Sequence, residues 1–354
     1  MKEKVVIGLS GGVDSTVAAI LLKEQGYDVI GATMTIWGDR VAPKHNCTHD
    51  ACFSPHEKED VEAAKKISKM LDIEYHVIDC SKEYDKIVLD YFKEEYLKGR
   101  TPNPCIRCNA LIKFGLLPKI LKQKGIAFDK FATGHYARIV EKDGVYNLCC
   151  AKDISKDQSY FLYRLEQEQL KNIIFPLGEF SKTQTREIAR KYGLEVSDKP
   201  DSQDFYSGDY NDLLGVSDKV GYIKDKEGNI LGTHNGIWNY TIGQRKGLKI
   251  SSTAPLYVLS LDKDKNEVIV GNVDDTFKKS LIADNLNYPS NIKIEDKQYF
   301  AKIRSSQKPQ SVRVRAFEDK IEVTFDEFQK SIAKGQSVVV YDNDTVVCGG
   351  IISD

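Results

Sequence analysis

No stretch of this chain stays apolar for the roughly 18 consecutive residues that a membrane-spanning helix needs, and the opening Met1-Lys2-Glu3-Lys4-Val5-Val6-Ile7 lacks both the length and the cleavage site of a secretory signal. We therefore expect a cytoplasmic protein with no membrane association. Net charge is almost absent as well. With 51 basic and 52 acidic side chains the formal charge is -1, which excludes a wholly basic protein that binds any polyanion, while leaving local patches open. Internal repeats and low-complexity segments are missing, and so is the Gly-Lys-Ser/Thr of a Walker A loop.

What is present is apolar surface enough to offset chain entropy: 14 Phe and 18 Tyr among 354 residues, 41% of them hydrophobic. At roughly 100 to 200 residues per domain this length suggests two or three domains. Eight cysteines, two of them in the Cys-x-x-Cys of Cys105 and Cys108, point to redox, metal or sulfur chemistry rather than to a disulfide scaffold.

From residue 4 short apolar runs alternate with helical spacing. Strands are expected at Lys4–Leu9, Asp28–Trp37, Tyr75–Ile78 and Lys130–Thr133, and helices at Ser15–Gln25, Glu57–Leu71, Ser81–Leu97 and about Asn109–Lys124. This alternation predicts an α/β fold with a doubly wound parallel sheet, whose ligand sits at the carboxyl ends of the strands. After Gly134 we expect a hairpin turning at Asp143-Gly144 and a Ser-capped helix over Ser181–Tyr192. From Gly221 short strands split by Gly, Asp and Asn suggest small β domains or a barrel. The expected division is residues 1–205, a small central domain at 206–274, and a β-barrel-like domain at 275–354.

The block Gly8-Leu9-Ser10-Gly11-Gly12-Val13-Asp14-Ser15 closes a strand and opens a helix. Its adjacent glycines permit a tight turn, and its N–H groups with the helix N-terminus form an anion site. Asp14 could hold Mg2+ or cap the helix. The block resembles the PP-loop of ATP pyrophosphatases, which cleave ATP between the α and β phosphates. The resemblance implies that Gly8 to Ser15 bind ATP, with Met34 near the adenine.

The second candidate is Gly99-Arg100-Thr101-Pro102-Asn103-Pro104-Cys105-Ile106-Arg107-Cys108-Asn109, read as a rigid loop leading into a helix. A helix N-terminus and Arg107 beside a thiol predict a lowered pKa and a reactive sulfur. The pair could also be half of a structural zinc site. Together with Lys113-Phe114-Gly115, Ala132-Thr133-Gly134-His135-Tyr136-Ala137-Arg138, Lys156-Asp157-Gln158-Ser159-Tyr160-Phe161, Lys199-Pro200-Asp201-Ser202-Gln203-Asp204 and Tyr240-Thr241-Ile242-Gly243-Gln244-Arg245, it resembles the tRNA-specific 2-thiouridylase family. Such enzymes replace the C2 oxygen of uridine 34 in tRNA anticodons with sulfur, using ATP and a persulfide relay.

By position, the resemblance makes Cys108 the nucleophilic cysteine, although many members have Asp where Cys105 stands. It places Asn103, Pro104 and Cys105 against the target base, Gly134 on ATP, and Lys156, Asp157, Gln158, Arg304 and Ser305 on tRNA. His135 and Gln336 match positions associated with tRNA recognition. It implies tRNA and a persulfide donor, such as a cysteine desulfurase or a relay protein, as partners, and Mg2+ with the nucleotide. One departure is large: where the family continues Ile-Cys-Phe with a persulfide-bearing cysteine, Asp204 is followed here by Phe205-Tyr206-Ser207.

Three readings of this gap stay open. Cys105 takes over as the sulfur partner of Cys108; or the pair with a third cysteine holds a 4Fe-4S cluster whose open iron binds sulfide; or a thiol of the His45-Asn46-Cys47-Thr48-His49-Asp50-Ala51-Cys52 segment swings in. That segment, with His56, also has ligands enough for a metal at Cys47 and Cys52. Cys80, Cys149, Cys150 and Cys348 lie in apolar runs and read as packing. Basic residues gather in two acid-free stretches, Leu97–Phe128 and Ala301–Arg315, as a phosphate backbone would require. Outside this family, the loop alone would also fit another PP-loop ligase or amidotransferase, and the missing thiol a noncatalytic tRNA-binding or sulfur-carrying protein.

Overall fold

A computed structural model describes residues 2–40, 51–194 and 205–354. Strands β1 (Lys4–Gly8), β2 (Asp28–Thr35), β3 (Glu74–Asp79) and β4 (Lys130–Ala132) form a parallel sheet. The hairpin β5 (Ala137–Lys142) and β6 (Val145–Cys150) leaves that sheet, and β7 (Ile173–Ile174) completes it in the order β3-β2-β1-β4-β7. Alternation along β1 explains the two layers: Val6 faces one core with Ile30, Phe131 and Ile112, while Val5 and Ile7 face another built on the helix α1 (Val13–Glu24). The chain leaves β1 to build β2 and β3 on one side, then crosses over to β4 on the other. The loops after β1 and β4 therefore meet at the topological switch point.

Four strands make a second sheet, β8 (Gly221–Lys224), β9 (Ile230–His234), β10 (Tyr257–Asp262) and β11 (Glu267–Gly271), around Ile223, Val258, Val268 and Val270. The last six strands are β12 (Phe277–Asn287), β13 (Gln298–Lys302), β14 (Gln310–Phe317), β15 (Lys320–Lys330), β16 (Ser337–Asp342) and β17 (Thr345–Ile352). Pairing of β12 with β17 closes them into a barrel. The α/β architecture with a parallel sheet and a terminal barrel matches the expectation.

Two local differences matter. The cysteine segment is helical, not a loop: Pro104 opens a helix that runs through residue 123, because the Asn103 carboxamide oxygen accepts from the Ile106 N–H at 3.3 Å and proline suits the first turn. Cys105 and Cys108 thus sit one turn apart on its first two turns. The hairpin turns at Asp143-Gly144 as expected, both residues having positive φ. Instead of staying with the parallel sheet, however, β6 pairs with β17 at Thr345–Cys149, so the first sheet's own chain extends the barrel sheet.

That junction is fastened by buried charge. Asp157, 2% exposed, lies 3.7 Å from Lys302, 6% exposed. Its other oxygen accepts from the Ala151 and Ser159 N–H groups, both at 3.1 Å. We expected Lys302 to share a charged outer face with Arg304, Arg313 and Arg315, but it is buried against this carboxylate: the alternation that exposes Gln298 and Phe300 would expose Lys302 as well, and Asp157 covers that face at the end of β13. Arg313 and Arg315 on β14 do alternate outward. Replacing Lys302 with Met leaves Asp157 with its hydrogen bonds but no counter-charge, and should cost about 3 kcal/mol of unfolding free energy, read as a lower urea midpoint.

Candidate active site

The loop between β1 and α1 is shaped by its own hydroxyls. Ser15 Oγ donates to the Gly12 carbonyl at 3.2 Å and accepts from the Ser10 N–H at 3.2 Å, and Thr16 Oγ1 donates to the Gly12 carbonyl at 2.8 Å. Gly11 has φ of 75°, and a Cβ there would stand 2.8 Å from the Asp60 carbonyl oxygen on α2 (Glu57–Met70). Gly134, after β4, closes on the same loop: its Cβ would lie 2.7 Å from Asp14 C and Ser15 N. Glycine is needed at 134 because backbone packs on backbone there.

Asp14 neither caps α1, whose cap is Gly12, nor stands open for a cation. Both its oxygens accept from Lys182 Nζ, at 2.8 and 2.9 Å, and one also from Tyr136 Oη at 3.0 Å. Lys182 is buried at the start of the helix Lys182–Lys191, whose Ser181–Gln184 capping box sets its entry. Sequence reading missed Lys182. Its signal was the Ser cap, which the reading treated only as a helix boundary. Met34 is half-buried near the carboxyl end of β2, where Thr33 Oγ1 donates to the Leu9 carbonyl at 2.6 Å.

The thiols differ from expectation. Burial pushes the Cys108 thiol up to about 12, with Lys113 opposing, so the lowered pKa read from the helix start does not hold. Arg107 is not its partner: the Arg107 guanidinium donates to the Ile87 carbonyl at 2.6 Å and covers the Tyr91 ring at 4.5 Å. Cys80, also buried, is likewise held up to about 12. Cys105 is half-buried against the same core. Cys52 is exposed, and its Sγ lies 3.9 Å from the Phe205 carbonyl oxygen. Cys149, Cys150 and Cys348 are buried packing, as read. Cys47 and the block from Lys199 to Asp204 lie outside the described residues. Among the described residues no three His, Cys, Asp or Glu gather as a metal site.

Lys113 joins the two halves. Its ammonium is felt by Cys108, by Cys52 and by His135, the residue after Gly134. His135 is half-buried between the Phe114 and Phe175 rings and bonded to Thr133 Oγ1 at 2.6 Å; burial, aided by Lys113, lowers its pKa well below the usual value. The expected tRNA contacts are mixed. Asp157 is buried in the junction. Gln158 is turned inward, its Oε1 accepting from the Tyr136 N–H at 2.9 Å. Arg304 is exposed and donates to the Ser331 carbonyl at 2.6 Å, with Ser305 half-exposed beside it. Gln336 comes to the cysteine segment, donating to the Pro102 carbonyl at 3.4 Å, next to the Thr101 N–H that donates to the Lys334 carbonyl at 2.8 Å.

Residues 3–206 match the family described as tRNA methyl transferase HUP domain, 213–272 a PRC-barrel domain and 278–352 an aminomethyltransferase β-barrel domain. The tRNA-specific 2-thiouridylase of Endomicrobium trichonymphae is 50% identical over 99% of this chain and 98% of its own. The chain belongs to the tRNA-specific 2-thiouridylase family. Thiouridylases of Clostridium perfringens and Clostridioides difficile are each 45% identical, again over 99% of this chain and 98% of theirs. The cysteine helix reaches the switch-point loops through Phe114, whose ring lies 5.7 Å from that of His135 beside Gly134.

Two measurements check this geometry. Gly134→Ala forces the Asp14–Ser15 backbone away and should weaken ATP binding at least about tenfold, or ~1.4 kcal/mol, by calorimetric titration. Alkylation of Cys108 in the ligand-free protein should rise about tenfold per pH unit through pH 10, because the thiol is protonated below its raised pKa; a rate that levels off near pH 8 contradicts it.

Proposed function

We propose that this protein thiolates tRNA at the C2 position of uridine 34, consuming ATP and forming AMP and pyrophosphate. The observation that supports this most is the shared position of Lys113, whose charge reaches both the thiols and the loop that abuts Gly134. Adenylation and sulfur transfer then take place on one base held in one pocket.

The N–H groups of Gly11 to Asp14 and the α1 N-terminus fit a polyphosphate. Gly134 holds this loop in place, and Lys182 positions Asp14 against it. With pyrophosphate leaving on the loop, the C2 oxygen of uridine attacks the α phosphate. A poor leaving group becomes AMP, and the loop donors stabilise the developing charge. Sulfur delivered as a persulfide then attacks C2, and Cys108 completes the transfer. Cys105, one turn earlier on the same helix, lies with Asn103 and Pro104 against the base.

Mg2+ accompanies the nucleotide's phosphates in this proposal. Asp14, committed to Lys182, offers it no preformed seat, and no step is routed through the ion. Each sulfur step in this proposal is carried by a thiol or a persulfide. Asp157 and Gln158 serve the fold, which leaves the exposed basic edge of Arg304, Arg313 and Arg315, with Lys156 and Ser305, for the phosphate backbone. Anticodon bases must leave their stack to reach C2 chemistry, and the barrel that touches the cysteine segment through Gln336 is placed to hold the arm. The persulfide comes from a donor protein, in the cytoplasm. No helix of the described residues is long and apolar enough to cross a membrane.

With a tRNA transcript, ATP and a persulfide donor, the protein should release pyrophosphate only when tRNA is present and yield 2-thiouridine by nucleoside mass spectrometry. Cys108→Ser should lower 2-thiouridine more than about 100-fold while ATP binding persists. Undiminished 2-thiouridine in that variant overturns the role given to Cys108.

A further inference from the structure

Sulfur that enters as a persulfide and leaves as a thiocarbonyl must gain two electrons, and a pair of thiols supplies them by ending as a disulfide. One thiol of the pair has to be reachable by the donor protein. Cys108 is not, being 7% exposed inside the core. Cys80 is fully buried, and Cys105 is half-buried on the same helix as Cys108. Among the described cysteines Cys52 alone is exposed.

Its setting is specific. Phe53, the next residue, donates its N–H to the Phe205 carbonyl at 2.9 Å, the same oxygen that lies 3.9 Å from Cys52 Sγ. The Phe53 ring stacks on Tyr84 at 5.3 Å and lies 6.1 Å from Tyr206. Tyr84 is the residue on which Cys108, Cys52 and Cys105 all act electrostatically; burial raises both Cys52 and Cys108, Cys52 adds to the rise at Cys108, and Lys113 opposes it at both. Phe205 and Tyr206 are buried among aromatic rings where a thiol was expected, and the segment strapped to them presents Cys52 instead.

We propose that Cys52 is the sulfur-carrying residue and Cys108 the residue that resolves it. The assignment rests on the thiouridylase reading above. Cys52 Sγ attacks the outer sulfur of a donor cysteine persulfide, and the donor thiolate leaves. The outer sulfur of the Cys52 persulfide attacks C2 of the adenylated uridine, forming the C–S bond as the C–O bond to AMP breaks. Cys108 Sγ then attacks Cys52 Sγ, its proton passing to N3 of the base. The Cys52 sulfur–sulfur bond breaks toward the sulfur on C2, which becomes C2=S. The product is 2-thiouridine with a Cys52–Cys108 disulfide, which an external dithiol reduces before the next cycle. Burial raises both thiols, so it is access that separates them: Cys108, 7% exposed, is out of the donor's reach and does not compete with Cys52.

The test uses the full chain loaded with glutathione persulfide, a tRNA transcript and ATP, in a single turnover without reductant. Peptide mass spectrometry after acid quench and alkylation should find a Cys52–Cys108 disulfide in proportion to the 2-thiouridine formed. Cys52→Ser should make 2-thiouridine more than about 100-fold more slowly, yet still release pyrophosphate on adding tRNA, which shows a folded protein active in its first half-reaction. A Cys52→Ser protein that thiolates within about threefold of wild type, or a Cys105–Cys108 disulfide as the oxidised product, overturns the assignment and leaves the enzyme reading standing. Wild-type protein that releases no pyrophosphate with tRNA overturns both.

Discussion

The backbone of Gly134 rests on the backbone of Asp14 and Ser15 with no room for a Cβ between them, and the rest of the site is arranged around that contact. It exists because β1 and β4 are neighbours at the point where the sheet changes direction. From it the Asp14–Lys182 pair reaches one way, tying α1 to the helix that begins at Ser181, with Tyr136 Oη shared between Asp14 and Thr185 at 3.0 Å each. His135 reaches the other way, toward the Phe114 side of the cysteine helix. A loop that must bind a polyphosphate without being distorted by it needs such backing. Preorganised donors stabilise developing charge because they need not reorient during reaction.

The second constraint is desolvation. Cys108, Cys80 and Cys52 are all raised by burial, and Lys113 opposes this at Cys108 and at Cys52. A core of this kind keeps a thiol protonated until a proton acceptor arrives. The ring nitrogen of an adenylated base would be that acceptor, so the chemistry would be coupled to substrate rather than running freely with any electrophile. Arg107, the nearest basic residue in sequence, is spent on Ile87 and Tyr91 and contributes nothing to that balance.

The parallel sheet, the PP-loop and the terminal barrel were legible in the sequence because each is a periodic or local signal: alternation of strand and helix, a glycine pair between them, short strands with turn residues. What was not legible depended on contacts across long separations. Lys182 meets Asp14 from 168 residues away. Lys302, which reads as part of a basic face, is buried by a carboxylate 145 positions earlier, at Asp157. The thiol pKa was misjudged for the same reason. A helix start and a neighbouring arginine are visible in sequence, but the Phe53, Tyr84 and Phe92 rings in the same core as Cys108 are assembled only by folding.

The near-zero net charge acquires a physical reading from these positions. Lys182 and Lys302 are internal counter-ions, and Arg138 is tied to Asp344 across the hairpin–barrel junction. Such charges hold domains in register and are not available to an anion. The exposed bases that remain on β14 and at Arg304 belong to the barrel whose residues 334–336 touch the loop before Cys105: Gly335 has no room for a side chain against Arg100 and Thr101. A polyanion drawn to that barrel would be held by a body already packed against the thiol helix. Fixing the barrel to the helix through backbone contact, with the long-range attraction left on the barrel's outer strands, separates binding from positioning, so the RNA can be gripped electrostatically while the base is placed by packing.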